Sequence, residues 1–176
     1  MPSSPYSADE MFLLASLPSM IGSAIAFSAK SGAFGTLKEA LANVQSIVEA
    51  VKAYPHNALI QSLLPQMENR QEALAKAKQY REMAMKRMQE KQIDSAAKLR
   101  QQTLDDIHVV VELLRSKAAP AEAAEYKEWA LSVAEQVAMA AKEGGFLGFG
   151  GERVSADEKA LLAEIAGALG LQSKLA

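Results

Sequence analysis

The sequence predicts an all-α protein, a helical bundle that includes one long antiparallel helical hairpin. Apolar residues recur at steps of three and four along most of the chain, which is the period of an amphipathic helix. A serine or threonine followed three residues later by glutamate, the capping-box signature, precedes three of the predicted helices. Hydrophobic residues make up 49% of the chain but aromatic residues only 6%, a composition that suits close helix packing.

A length of 176 residues predicts a single domain. Within it we expect a protruding hairpin, residues 66–117, and a compact helical core formed by residues 7–64 and 120–171. The chain has no cysteine, which excludes disulfides, thiolate nucleophiles and zinc sites that need sulfur ligands. Because this is compatible with a reducing compartment, we expect a cytoplasmic protein.

The N-terminal segment predicts two short core helices. A capping box at Ser7 and Glu10 begins the first, and Pro18 at a first-turn position begins the second, with a break at residues 17–19. Residues 11–29 carry no charge and are long enough to span a membrane. Proline and glycine in the middle of this run, and acidic residues before it, favour core helices over a span or a secretory signal. We therefore expect no membrane insertion, while association with a membrane surface stays open.

The remaining elements follow from caps and breakers. Residues 36–51 predict a third helix, and Asn57 caps a further short one. The hairpin arms are residues 66–91, whose apolar stripe is thin, and residues 96–117, capped by Asp94 or Ser95. Arms joined by so short a connection should pack antiparallel. The last two helices begin at Pro120 and at the capping box of Ser155 and Glu158, and the final one ends at Gly170.

A glycine-rich connection, KEGGFLGFGGERVS, joins the last two predicted helices. A phosphate-binding loop would follow a strand and end on Gly-Lys-Ser or Gly-Lys-Thr, and this connection does neither. Phenylalanine is costly to expose in a solvated lid, whereas glycine lets a backbone pass close to a packed helix. We therefore expect an ordered, partly buried structural loop made of Gly145, Phe146, Gly148, Phe149, Gly150 and Gly151.

Residues 151–162, GERVSADEKALL, together with the helix before them, resemble the helix-loop-helix element of the TerB-like tellurite-resistance domains. The resemblance covers about residues 120–171 and implies an all-helical fold, with stress-related or membrane-surface partners. In that family an Asp-Gly pair precedes the second helix, and the acidic loop is thought to bind cations. This chain has Gly151-Glu152 where that pair would fall.

Candidate metal ligands lie one helical turn apart in the second hairpin arm. Asp105 with His108, and His108 with Glu112, are spaced to share a helix face. The alternative is that His108 flanks the apolar stripe and pairs with a neighbour. Di-iron bundles need paired Glu-x-x-His elements on facing helices, and the other histidine, His56, lacks a carboxylate three residues before it. These three residues stay the metal candidates, and we expect no cofactor.

Signatures of catalysis and of nucleic-acid binding are missing. The sequence has no Gly-x-Ser-x-Gly elbow and no cysteine, and no serine is singled out beside a histidine. Basic residues of the first arm alternate with glutamates at helical spacings, which favours intrahelical ion pairs over the one-signed face that nucleic acid requires. The sequence thus lends no support to an enzyme, and we expect no nucleic-acid partner.

Methionines cluster near the end of the first arm, at Met83, Met85 and Met88, together with Arg87. Flexible thioethers on a cationic helix suit an adaptable partner surface, although they also fill gaps in cores. The three cannot all face one narrow seam, and self-association would cover the remainder. We therefore expect a non-catalytic interaction or scaffolding protein that forms a homo-oligomer or binds a protein partner. The alternative is a TerB-like stress-response protein that binds a metal ion or small ligand.

Overall fold

The computed structural model describes residues 4–28, 49, 52–63, 70–142 and 154–176. Its helices are α1 (Ala8–Ser28), α2 (Ala58–Leu63), α3 (Arg70–Glu90), α4 (Ala96–Lys117), α5 (Pro120–Lys142) and α6 (Ala156–Leu169). No strand occurs in these ranges. The all-α helical bundle predicted from the sequence is therefore confirmed. Apart from residue 49, the predicted helix at 36–51 lies outside the described residues, as does the glycine-rich loop at 145–151.

The N-terminal segment forms one continuous helix, α1, where the sequence predicts two. Its start is as predicted: the Ser7 hydroxyl accepts from the Glu10 amide at 3.2 Å, and the Glu10 carboxylate accepts from the Ser7 amide at 2.7 Å. Pro18, however, lies inside the helix and is buried there. The predicted break at residues 17–19 is therefore wrong.

A hydrogen bond from another helix explains why Pro18 does not end α1. Proline has no amide hydrogen, so the Leu14 carbonyl, four residues earlier, loses its helical donor. The hydroxyl of Tyr126 on α5 donates to that carbonyl at 2.6 Å. Tyr126 is fully buried, and burial raises its pKa, so the hydroxyl keeps its proton and stays a donor. A tertiary contact thus replaces the missing helical bond.

The described helices bury one shared apolar core. α1 packs mainly on α5 and α4, α6 closes the bundle against all three, and α2 packs on α5. The second hairpin arm, α4, contributes Ile107, Val110 and Leu114 to this core, so it belongs to the core as well as to the hairpin. Lys117 pairs with Glu10 of α1 at 2.7 Å, a contact that fixes the end of α4 against the start of the chain.

The hairpin turn, residues 91–95, closes with a left-handed residue. Gln92 has φ 50°, its amide donates to the Gln89 carbonyl at 3.1 Å, and the Ile93 amide donates to the Met88 carbonyl at 2.9 Å. This pair of bonds is the Schellman motif that ends many helices. Ser95 then caps α4, its hydroxyl accepting from an amide three residues on, as one of the two predicted caps. The turn places the Met88 side chain beside Ile93.

Candidate interaction surface

The three predicted metal ligands lie on the exposed side of α4 and are not gathered into a site. Glu112 accepts a hydrogen bond from Arg115 at 2.6 Å, and Asp105 accepts one from Gln101 at 2.9 Å. His108 is exposed. Within the described ranges, no group of three or more histidine, aspartate or glutamate side chains is arranged to hold a metal ion.

An apolar groove of about 310 Å³ lies between α1 and the end of the hairpin's first arm. We call it the α1–α3 groove. One wall is the outer face of α1 and the other is the last turns of α3, with the hairpin turn and the start of α4 closing one end. The apolar part of its lining includes Phe12, Met20, Phe27, Met88, Ile93 and Leu99. Its size and apolar lining are in the range of sites that bind other molecules.

Three large apolar side chains stand exposed at the groove and beside it. Phe27 is 56% exposed, Met85 54% and Met88 48%. Phe27 and Met88 line the groove, and Met88 with Met85 lines a second depression that continues around the hairpin turn. We call these three residues the apolar patch. Two of the methionines predicted as an interaction surface therefore belong to it.

Met83, the remaining predicted methionine, is half-buried. It lines a neighbouring depression between α1 and α3, together with Phe12 and Asp9 of α1. α3 is also held to α1 at the ring of Tyr80, which meets Phe12 edge to face with 5.6 Å between ring centroids. Met83 is thus half-buried against α1, whereas Met85 and Met88 are exposed.

Arg87, the fourth residue predicted for the interaction surface, forms an ion pair across the hairpin. Its Nη2 donates to Asp106 Oδ1 at 2.5 Å, and Gln102 Nε2 donates to the same oxygen at 2.8 Å. Asp106 is only 2% exposed, and burial raises the pKa of its carboxyl despite the hydrogen bonds from Gln102 and Arg87. The pair neutralises the cation, which allows Arg87 to form part of the wall of an apolar groove.

Asp106 is the residue of this surface that the sequence reasoning missed. It directly follows the metal candidate Asp105 in the sequence, but Asp105 is exposed whereas Asp106 is buried. A signal was present, because Asp106 lies three residues after Thr103 and four before Val110, and both are buried positions of the α4 stripe. An acidic residue on the buried face of a helix requires a partner, and here that partner is Arg87.

No protein family, curated protein or solved structure matches this chain. The resemblance of residues 120–171 to the TerB-like domains therefore stays a prediction. Residues 151–153, which would form part of the cation-binding loop in that family, lie outside the described ranges.

α1 is the helix in the described ranges that is long and apolar enough to cross a membrane by length and composition. Half of its most apolar window is buried in the fold, where it meets α4 and α5. A core helix and a signal sequence near the N-terminus both pass this test. The cytoplasmic location therefore stays a prediction.

Proposed function

We propose that this protein is a non-catalytic interaction module that self-associates through the apolar patch and the α1–α3 groove. The observation that supports this proposal is the exposure of Phe27, Met85 and Met88 around one apolar depression. Apolar side chains scattered singly over a surface are ordinary, whereas exposed apolar side chains gathered at one depression are typical of contact sites. Methionine side chains suit such a contact because they adapt their shape to the partner.

A second copy of the chain is the partner that this surface fits best. The patch offers protruding side chains directly beside a depression, so two copies related by a two-fold axis can each fill the groove of the other. The surrounding charges also match a self-contact. Asp94 lines the depression at the hairpin turn and pairs with Lys98 at 3.0 Å, so the rim carries both signs. A rim of mixed sign meets its own copy without net repulsion.

Sedimentation equilibrium over a wide concentration range tests this proposal. We expect the wild type to form a reversible dimer, and the double variant Met85→Lys with Met88→Lys to weaken it by at least about tenfold, because both charges would be buried at the contact. Matched controls are Val109→Lys on α4 and Met139→Lys on α5, which are 54% and 45% exposed and lie outside the groove. Circular dichroism verifies that all variants keep their helices.

A wild type that stays monomeric at the highest concentration would refute self-association. Equal weakening by the control substitutions would show that the contact lies elsewhere on the molecule. Binding of the monomer to phospholipid vesicles, lost in the patch variant but not in the controls, would instead assign the patch to a membrane surface.

A further inference from the structure

The ion pair of Arg87 and Asp106 ties the two hairpin arms together directly behind the proposed contact surface. Arg87 lines the α1–α3 groove, whereas Asp106 is buried on the core side of α4. We propose that the charge on Asp106 controls the formation of the dimer, an inference that rests on the self-association proposed above. With Asp106 ionised, the wall of the groove is neutral; with Asp106 neutral, an uncompensated cation faces the second copy and the dimer separates.

Among the charged groups around Asp106, Arg87 is the main counter-charge of its carboxylate. Its carboxylate interacts with Gln102 on its own helix, with Arg87, and at longer range with Lys91 after α3. Asp9 of α1 lies in the depression beside Arg87, together with Lys86 and Glu90 of α3. Carboxylates of the other helices packed on α4 are engaged elsewhere: Glu10 of α1 with Lys117, Glu164 of α6 with Arg100, and Glu125 of α5 with Asn57.

Loss of the Asp106 charge has opposite effects on the fold and on the contact. A buried carboxyl whose folded-state pKa lies above its unfolded value binds a proton more tightly in the folded state, so its protonation does not destabilise folding. The same proton removes the counter-charge of Arg87. In a two-fold contact both copies would then bring a bare guanidinium to the shared groove, and like charges at an interface oppose association. Protonation of Asp106 therefore weakens the dimer without destabilising the fold.

Asp106→Asn isolates this effect at constant pH, because the amide has the shape of the protonated carboxyl and no charge. At pH 7.5 we expect the dissociation constant of the dimer to rise by at least about tenfold, with an unfolding midpoint that is unchanged or higher. The control is Glu112→Gln, which removes the carboxylate of an exposed ion pair on the same helix and should leave the dissociation constant unchanged.

A rescue variant separates a charge effect from damage to the fold. Adding Arg87→Gln to Asp106→Asn removes the bare cation, so the double variant should recover most of the lost affinity. Its dissociation constant should also stay the same as the pH is lowered from 7.5, whereas that of the wild type should rise. If Asp106→Asn does not fold, this comparison of pH profiles still decides the question.

The outcomes distinguish the two proposals. A monomeric wild type would refute self-association itself. A wild-type dimer that Asp106→Asn leaves equally tight would overturn the control by Asp106 while self-association stands. The same conclusion would follow if the double variant stayed dissociated or kept the pH dependence of the wild type.

Discussion

Removing the Tyr126 hydroxyl tests why α1 continues through a proline. In Tyr126→Phe the Leu14 carbonyl loses the donor that lies 2.6 Å away, and Pro18 offers no amide to replace it. Both Leu14 and Tyr126 are fully buried, so water cannot take over the bond. A buried carbonyl without a donor costs about 1–3 kcal/mol of unfolding free energy.

The substitution changes little else, which makes the expected magnitude interpretable. Phenylalanine keeps the ring, and with it the edge-to-face contact with Trp129, whose centroid lies 5.5 Å from that of Tyr126. Only the hydroxyl oxygen is removed, so any void has the size of a single atom. The measured loss therefore reports the orphaned carbonyl, about 1–3 kcal/mol, and should be visible as a lower urea midpoint with an unchanged slope.

A double-mutant cycle with Pro18→Ala makes the interpretation specific. Alanine at position 18 restores an amide hydrogen four residues after Leu14, so the carbonyl regains a helical donor. In that background Tyr126→Phe should cost less, with a coupling free energy of about 1 kcal/mol or more. Urea unfolding followed by circular dichroism and by the fluorescence of Trp129 measures all four proteins. Tyr54→Phe, at a half-buried tyrosine, serves as the control for hydroxyl removal.

This account of α1 would be refuted if the unfolding free-energy changes of Tyr126→Phe and Pro18→Ala were additive. If Tyr126→Phe is equally destabilising with proline or alanine at position 18, to within about 0.5 kcal/mol, the two residues are not coupled through the Leu14 carbonyl. A loss of helix content in the single variant would be consistent with a break at residues 17–19, as the sequence alone predicts.

Two further predictions concern the hairpin turn and the start of α1. Gln92 holds a left-handed φ of 50°, so Gln92→Gly should raise the free energy of unfolding by about 0.5–1 kcal/mol, and a lower urea midpoint would contradict this. The hydrogen bond from Lys117, followed by that from the Ser7 amide, holds the pKa of Glu10 below its ordinary 4.5. Glu10 therefore stabilises the fold above that pH and loses this contribution as the pH falls through its folded-state pKa. Melting temperatures of the wild type and Glu10→Gln should converge in acid, and a gap that persists there would rule out this role.

Helix starts and ends could be predicted because their interactions are local. The capping boxes at Ser7 and at Ser155 join groups three residues apart, and both form as expected. Gly170 ends α6 with φ 71°, the left-handed conformation for which glycine is favoured. Asn57 also caps α2 as predicted, its side-chain oxygen accepting from the Ile60 amide at 2.9 Å. Its amide group, however, donates to Glu122 and Glu125 of α5, a tertiary contact that no local pattern announces.

The candidate surface was predictable only in part. A cluster of methionines that cannot share one seam indicated exposure, and Met85 and Met88 are exposed. The pattern could not show which methionine turns inward, since that depends on where α1 lies relative to α3. It also could not show that Phe27 shares a groove with Met88, because the two residues come from different helices.

The sequence by itself determined the helical class of this protein and most helix ends, because period, caps and turn residues act over a few neighbouring positions. The tertiary structure alone decided what Pro18 and Arg87 do. Leu14 receives its donor from a residue 112 positions away, and Arg87 receives its counter-charge from a residue 19 positions away on another helix. Buried polar groups require partners, and only the packed fold determines which residue supplies each one.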